Sequence, residues 1–163
     1  MKQSDFSSDR PGSVPESEAG TIRASGSNAS PGEQMKRCSD SHTEHVQIVM
    51  YRHTNGSGRL FGGALLQMID VVGAICARRH SGTEVTTVAI DHLSFRAPAQ
   101  INSTLLLVAE IESVGNTSMR VKVCTYVERL NGEKEEINTA YVTYVSLDEN
   151  NLPRTVPRLC TDS

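Results

Sequence analysis

One acidic residue, Asp70, lies inside an otherwise apolar run that follows a glycine-rich segment. The run is GGALLQMIDVVGAICA, and TNGSGRLF precedes it. No lysine or arginine stands three or four residues from Asp70 on either side, so the carboxylate has no local partner along a helix. A buried carboxylate without a partner costs several kcal/mol. Asp70 therefore either reaches a polar partner on another element or lies in an active site, where it would act as a general base.

Two neighbouring features could also take part in catalysis: the Gly62-Gly63 pair and Asn55. The glycines fall at the start of a predicted helix, where free N–H groups at the positive end of the dipole can polarise a carbonyl. The alternative is that they only allow the helix to pack closely on a sheet. Asn55 is either an amide that orients a water or a carbonyl, or simply the turn residue of TNGSG. The residues alone leave both questions open.

The spacing of apolar residues predicts the elements that must position these groups. One helix of about five turns is predicted over GGALLQMIDVVGAICARRH. A strand, HVQIVMYR, precedes it, and four strands follow without another helix: VTTVAIDHLSFRA, TLLLVAEIESV, MRVKVCTYVE and INTAYVTYVSL. The regular alternation in MRVKVCTYVE is typical of a half-buried antiparallel strand. A helix that is apolar on nearly every side must be surrounded. We therefore predict an α+β fold in which a curved antiparallel sheet wraps a long central helix, and a dimer that covers the remaining apolar surface.

The two ends of the chain differ in composition from this central part. Residues 1–41 are rich in Ser, Gly, Pro and charge, which predicts a disordered tail. Residues 42–157 form one predicted domain, which the length of 163 residues allows. The polar, proline-containing segment from Asp148 onward is expected to be a loose C-terminal arm, and residues 158–163 a C-terminal tail.

Composition excludes several classes of function. The net charge of −3, the 4% aromatic content and the absence of Trp disfavour nucleic-acid binding. No apolar run is long enough for a membrane span, and no secretory apolar region begins the chain. The four cysteines are far apart and have no metal-ligand spacing, which predicts reduced thiols, a cytoplasmic location and no metal site. No serine has the context of a hydrolase nucleophile.

Taken together, these segments resemble a known family. TNGSGRLFGGALLQMIDVVGAICARRHSG, followed by VTTVAIDHLSFRAP, VGNTSMRVKV and TAYVTYVSLDENNLP, resembles the hotdog-fold acyl-coenzyme A thioesterases, in particular their single-domain cytosolic branch. The resemblance covers residues 44–157. It implies hydrolysis of fatty acyl-CoA to free fatty acid and CoA, with coenzyme A as part of the substrate and no other cofactor. It also implies active sites between two protomers and hexamers built as trimers of dimers.

The resemblance also assigns roles to individual residues. Asp70 activates the attacking water, and Asn55 of a neighbouring chain holds the thioester or the water. Gly62 and Gly63, with the helix amides, polarise the thioester carbonyl. The implied coenzyme A contacts are Val85, Thr86, Thr87, Val114, Gly115, Asn116, Thr117 and Ser118. On charge alone, Arg79, Arg120 and Arg154 are candidate phosphate contacts.

Two other functions remain open at this point. A hotdog hydratase or dehydratase would pair a histidine with an acid, and His53 with Asp70 is the pairing that the sequence contains. A non-catalytic acyl-CoA sensor would bind the same ligand without hydrolysing it. The DNA-binding form of such a sensor is disfavoured, because no helix-turn-helix is attached and the N-terminal segment is not strongly basic.

Overall fold

The computed structural model describes residue 30 and residues 33–160. Within these residues it contains one α-helix, α1 (Gly62–Ser81). The strands are β1 (Met35–Lys36), β2 (Thr43–Ile48), β3 (Glu84–Phe95), β4 (Thr104–Val114), β5 (Ser118–Glu128), β6 (Lys134–Leu147) and β7 (Arg158–Leu159). Five of them form one antiparallel sheet in the order β2-β4-β5-β6-β3, and α1 packs across it. The predicted α+β arrangement is confirmed.

Local signals set both ends of α1. The helix begins at Gly62, after Phe61 in an extended conformation, and no side chain caps this end. It ends at Ser81, and Gly82 follows in the left-handed conformation with φ of 69°. The Gly82 N–H donates to the Arg78 carbonyl at 2.8 Å, a closure that glycine makes without a Cβ penalty. The predicted helix is confirmed, one residue longer than expected.

A single stripe of α1 is buried against the sheet. Its members recur at helical spacing: Leu65, Ile69, Val72 and Cys76. On another side of the same helix, Val71 and Ile75 remain 51% and 39% exposed. The sheet of one chain therefore covers one side of the helix and leaves these two side chains exposed.

The inner face of the sheet supplies the rest of the core. Alternate residues of β4 and β5 are fully buried, among them Leu105, Leu107, Met119, Val121 and Val123. Burying a side chain of this size contributes about 1.5–3 kcal/mol. The alternation predicted for β5 is confirmed, and it fixes which side chains of the sheet face α1.

Ordered backbone continues beyond the predicted domain limits of residues 42 and 157. β1 and β7 pair in parallel, and the Cys160 N–H donates to the Lys36 carbonyl at 2.8 Å. Val156 and Pro157 are buried, which anchors the segment before β7. The expectation of a loose C-terminal arm is therefore wrong up to residue 160. Most of the predicted N-terminal tail, residues 1–29 and 31–32, lies outside the described residues, as do residues 161–163.

The end of α1 carries a fully buried histidine. His80 Nε2 bonds to the Pro157 carbonyl at 3.0 Å, and Nδ1 has no partner among the described residues. Burial lowers the pKa of His80 below its ordinary value of 6.5; the nearby Lys36 also lowers this pKa, whereas the Pro157 carbonyl and Asp40 oppose the shift. The histidine is therefore neutral in the folded protein at neutral pH.

This burial predicts a pH dependence of stability. Below about pH 6.5, His80 is protonated in the unfolded chain but stays neutral in the folded chain. The free energy of unfolding therefore decreases as the pH falls, until the pH passes the lower pKa of the folded state. Denaturant unfolding between pH 8 and pH 5 measures this dependence. His80→Gln, which keeps an N–H for Pro157, is expected to flatten it. An equal slope in both proteins would contradict the assignment.

Candidate active site

Asp70 lies in the middle of α1 and is partly exposed. The Thr87 hydroxyl donates to its Oδ1 at 2.7 Å. The Tyr144 hydroxyl lies 2.8 Å from the main-chain carbonyl oxygen of Asp70 and 3.3 Å from Oδ1. A hydroxyl has one hydrogen, so Tyr144 shares it between these two acceptors. The acid thus reaches polar partners on other elements, which is one of the two alternatives that its lack of a partner on the helix left open.

Strand pairing brings these two hydroxyls together. Thr87 of β3 and Tyr144 of β6 are direct partners in the antiparallel register, so both side chains point to the face that carries α1. Tyr144 is fully buried, and burial together with the charge of Asp70 raises the pKa of its phenol well above the ordinary value. The phenol therefore stays protonated and remains a hydrogen-bond donor.

Sequence reasoning missed Tyr144 and grouped Thr87 with the coenzyme A contacts. A signal for Tyr144 exists in the alternation of INTAYVTYVSL, which places it on the apolar face with Ala140 and Val142. A phenol on such a face needs a polar partner. The sequence does not say that the partner is Asp70, because the two residues are 74 positions apart.

Gly73 explains how the phenol approaches the helix so closely. A Cβ at this position would lie 2.4 Å from the Tyr144 hydroxyl oxygen and 3.2 Å from its ring. Glycine inside a helix costs about 1 kcal/mol relative to alanine. The close approach of Tyr144 explains why glycine is nevertheless found at position 73, one helical turn after Asp70.

A mostly apolar cavity of about 390 Å³ opens at the start of α1. Among the residues that line it are Leu60, Gly62, Leu65, Phe95, Ala97 and Ile137. The first helical hydrogen bond runs from the Leu65 N–H to the Phe61 carbonyl, so the N–H groups of residues 62–64 precede it. A Cβ at Gly62 would make only an ordinary contact with Phe95, at 3.6 Å. Packing within one chain therefore does not require glycine at position 62.

The second glycine, Gly63, lies against an aromatic ring. A Cβ at Gly63 would lie 2.5 Å from the ring of Phe61, a side chain that is itself 57% exposed. An exposed ring of this kind can move aside, so packing within one chain requires glycine at neither position, and both interpretations of the pair stay open.

Asn55 forms the turn of an exposed loop. Its Oδ1 accepts the backbone N–H groups of Ser57 at 3.0 Å and of Arg59 at 3.3 Å. The side-chain N–H groups make no hydrogen bond within the described residues and can donate to another acceptor. Within the described residues, no hydrogen bond joins Asn55 to Asp70.

His53 lies on a different side of α1 from Asp70. It lines a cavity of about 180 Å³ between β2 and the helix, together with His45, Gln47, Ala64, Gln67, Met68 and Val71. Asp70 instead faces Thr87 and Tyr144. The His53–Asp70 pair that a hydratase would need is therefore not formed within the chain.

The segments predicted to contact coenzyme A meet at one end of the sheet. Residues 85–87 of β3 pair with residues 144–146 of β6 on one side. On the other side of β6, the turn of residues 114–118 approaches, and the Ser146 N–H donates to the Thr117 carbonyl at 2.9 Å. The fold thus places both segments beside the last part of β6, which is the end that also carries Tyr144.

The three candidate phosphate-binding arginines differ in their surroundings. Arg79 donates to two oxygens at the start of β2, and Arg120 forms ion pairs with Asp91 and Glu112. Arg154 makes no ion pair with the part of the chain that the structure describes. Of the three, Arg154 is the one whose charge is not already paired or bound.

Several classes of site are absent from the described residues. Over residue 30 and residues 33–160, no cluster of three or more His, Cys, Asp or Glu side chains converges to hold a metal ion. No helix in this part of the chain is long and apolar enough to cross a membrane. Cys76, Cys124 and Cys160 form no disulfide bond within the described residues. A cytoplasmic location stays a prediction.

Comparison with known proteins decides the family. Residues 57–131 match the thioesterase superfamily. An acyl-CoA thioester hydrolase of Zymomonas mobilis is 39% identical over 112 residues, which make up 68% of this chain and 74% of that protein. The chain belongs to the hotdog-fold acyl-CoA thioesterases. The family resemblance noted in the sequence is confirmed.

Solved structures of acyl-CoA thioesterases share this fold. An acyl-CoA hydrolase from Staphylococcus aureus, solved with butyryl coenzyme A and coenzyme A, superposes with a TM-score of 0.77 at 31% identity and covers 79% of both chains. A hexameric thioesterase from Yersinia pestis gives 0.66 at 28% identity, over 69% of this chain and 93% of that one. Alanine variants of the S. aureus enzyme at one aspartate, one asparagine and one threonine have also been solved. The predicted hotdog fold is confirmed.

Proposed function

We propose that this protein hydrolyses fatty acyl-CoA to free fatty acid and coenzyme A, with Asp70 activating the attacking water at an interface between two protomers. The observation that carries the proposal is the carboxylate of Asp70, partly exposed on the central helix and oriented by hydroxyls from two strands. It occurs in a chain that is 39% identical to an acyl-CoA thioester hydrolase. No metal or separate cofactor is needed for this chemistry.

In the proposed reaction, Asp70 accepts one proton from water and later releases it to the leaving group. Asp70 takes a proton from water as the oxygen attacks the thioester carbonyl carbon. The tetrahedral intermediate collapses, the carbon–sulfur bond breaks, and the proton returns from Asp70 to the sulfur of coenzyme A. General-base catalysis of this kind contributes roughly 10²–10⁴-fold in rate.

Two groups are available to bind the developing negative charge. The N–H groups of residues 62–64 lie at the positive end of α1 beside the apolar cavity, where Gly62 and Gly63 admit the thioester carbonyl. The Asn55 amide of a second chain donates to the water or to the same carbonyl, because its Oδ1 is engaged in its own loop. In the S. aureus enzyme, the residues replaced by alanine are separated by the same numbers of positions as Asn55, Asp70 and Thr87, which supports these assignments.

The surrounding surfaces suit the two ends of the substrate. The cavity of about 390 Å³ at the start of α1 is mainly apolar, as a fatty acyl chain requires. Coenzyme A would lie along the strand segments at residues 85–87 and 114–118. Arg154 lines two shallow cavities near that end of the sheet and can meet a phosphate.

The exposed apolar residues support a shared site. One chain leaves Val46, Ile48, Val71, Ile75 and Val88 exposed on β2, α1 and the edge strand β3. These residues lie on the two edge strands and on the helix that crosses the sheet, and exposed apolar surface of this extent indicates an interface. The hexameric thioesterase of Y. pestis has the same fold. We propose that two chains pair over these faces, bringing Asn55 of one to Asp70 of the other, and that three such dimers form a hexamer.

Release of the coenzyme A thiol tests this function directly. The purified protein is incubated with saturated acyl-CoA esters of increasing chain length and with an enoyl-CoA. We expect thiol release from the saturated esters. Loss of the enoyl double bond without thiol release would indicate a hydratase instead. Tight binding of the esters with no turnover would indicate a sensor.

A further inference from the structure

We infer that Tyr144 is a positioning residue for this reaction, holding Asp70 so that its Oδ2 faces the attacking water. The inference rests on the proposed function, because the role is defined relative to Asp70 as the base. Tyr144 itself is fully buried in the core and does not touch the substrate. It acts only through the residue that does.

The hydrogen bonds of Asp70 distinguish its two carboxylate oxygens. Oδ1 accepts from Thr87 on β3 at 2.7 Å and lies 3.3 Å from the hydroxyl of Tyr144 on β6. Within the described residues, no hydrogen bond reaches Oδ2. Two donors from two paired strands fix the plane of the carboxylate, and they leave Oδ2 with its lone pairs available to a water. Oδ2 is therefore the oxygen that takes the proton.

The phenol also fixes the helix backbone at the same residue. Its hydroxyl lies 2.8 Å from the main-chain oxygen of Asp70. The approach requires Gly73, where a Cβ would lie 2.4 Å from the hydroxyl oxygen. The ionisable groups that face the phenol are Asp70 and Cys76, and both add to the effect of burial in raising the pKa of Tyr144. One side chain thus holds the backbone and the carboxylate of Asp70 and stays protonated while it does so.

Tyr144→Phe removes the donor and keeps the ring. We expect kcat to fall about tenfold with KM unchanged, since the loss affects the base and not substrate binding. The acidic limb of the pH–kcat profile should move to higher pH, because a hydrogen bond to the charged carboxylate has been lost. Tyr141→Phe is the matched control, since Tyr141 lies on the same strand and packs on Arg120. It should leave kcat and the pH profile unchanged.

A second variant separates the hydrogen bond from packing. In Gly73→Ala/Tyr144→Phe, the new methyl group enters the space that the hydroxyl leaves, and the ring, whose nearest atoms would lie 3.2 Å away, shifts by a few tenths of an ångström. This change also removes a helical glycine, so the double variant should fold even where Tyr144→Phe is unstable. We expect its melting temperature to equal or exceed that of Tyr144→Phe, with kcat still reduced and the acidic limb still shifted. Recovery of wild-type kcat and pH profile would overturn the inference, because the phenol would then act by packing alone.

Combining Tyr144→Phe with Asp70→Asn tests this inference, whereas Asp70→Asn alone tests the proposed function. If Tyr144 acts through Asp70, Tyr144→Phe should cost nothing further once Asp70 is asparagine. A full additional loss in that background would overturn the positioning role. Wild-type activity of Asp70→Asn alone would instead refute Asp70 as the base, and with it the proposed function.

Discussion

Asp70→Asn is expected to lower kcat by about two orders of magnitude or more, while assembly and folding stay intact. Asparagine has nearly the same shape, and its Oδ1 can still accept from Thr87 and Tyr144. The amide cannot take a proton from water, so base catalysis is lost. Thiol release measures the rate, and size-exclusion chromatography with thermal unfolding measures assembly and stability.

The same chain contains a matched control for this substitution. Asp91 lies on β3, is partly exposed, and pairs with Arg120 away from the candidate site. Asp91→Asn makes the same chemical change and should leave kcat within about twofold, because exposed ion pairs contribute little. Near-normal turnover by Asp70→Asn would mean that Asp70 is not the base.

The helix and most strands could be predicted because their signals are local. The apolar spacing of α1 and the glycine after it define the helix within one residue. The alternation in β5 identifies its buried face. The C-terminal segment is different, because β7 gains its order from pairing with β1, more than a hundred residues away. Nothing in its own polar composition indicates that partner.

In the candidate site, too, local features could be predicted from the sequence and long-range contacts could not. Asp70 stood out because an acid in an apolar run needs a partner, and that reasoning used only its neighbours. Its partners, Thr87 and Tyr144, depend on the register between β3 and β6. That register includes a bulge between Thr87 and Ala89, which no local pattern predicts. Gly73 likewise has no explanation until the phenol is placed against it.

The role of Asn55 could not be decided from the sequence alone. The sequence left a turn residue and a site residue as alternatives, and the loop geometry is compatible with both. Oδ1 forms the turn, and the amide N–H groups remain to donate. We propose that these N–H groups donate to a site completed by a second chain, and this shared site is the central proposal.

Complementation between two inactive variants is the second large effect that we expect. In the proposed two-fold symmetric dimer, each site takes Asn55 from one chain and Asp70 from the other. A dimer of one Asn55→Ala chain and one Asp70→Asn chain therefore has one site with both changes and one site with neither. Each variant alone should be nearly inactive, and the mixed dimer should regain one full site.

The decisive measurement is thiol release by the two variants co-expressed in equal amounts. Random pairing makes about half of the dimers mixed, each with one intact site of two, so about a quarter of wild-type turnover per chain should return. The matched controls are each variant expressed alone and the double variant Asn55→Ala/Asp70→Asn co-expressed with Asp70→Asn, all of which should stay inactive. Recovery near a quarter is the result that a shared site predicts. No recovery from a properly assembled mixture would contradict it, because Asn55 and Asp70 would then act within one chain or not together at all.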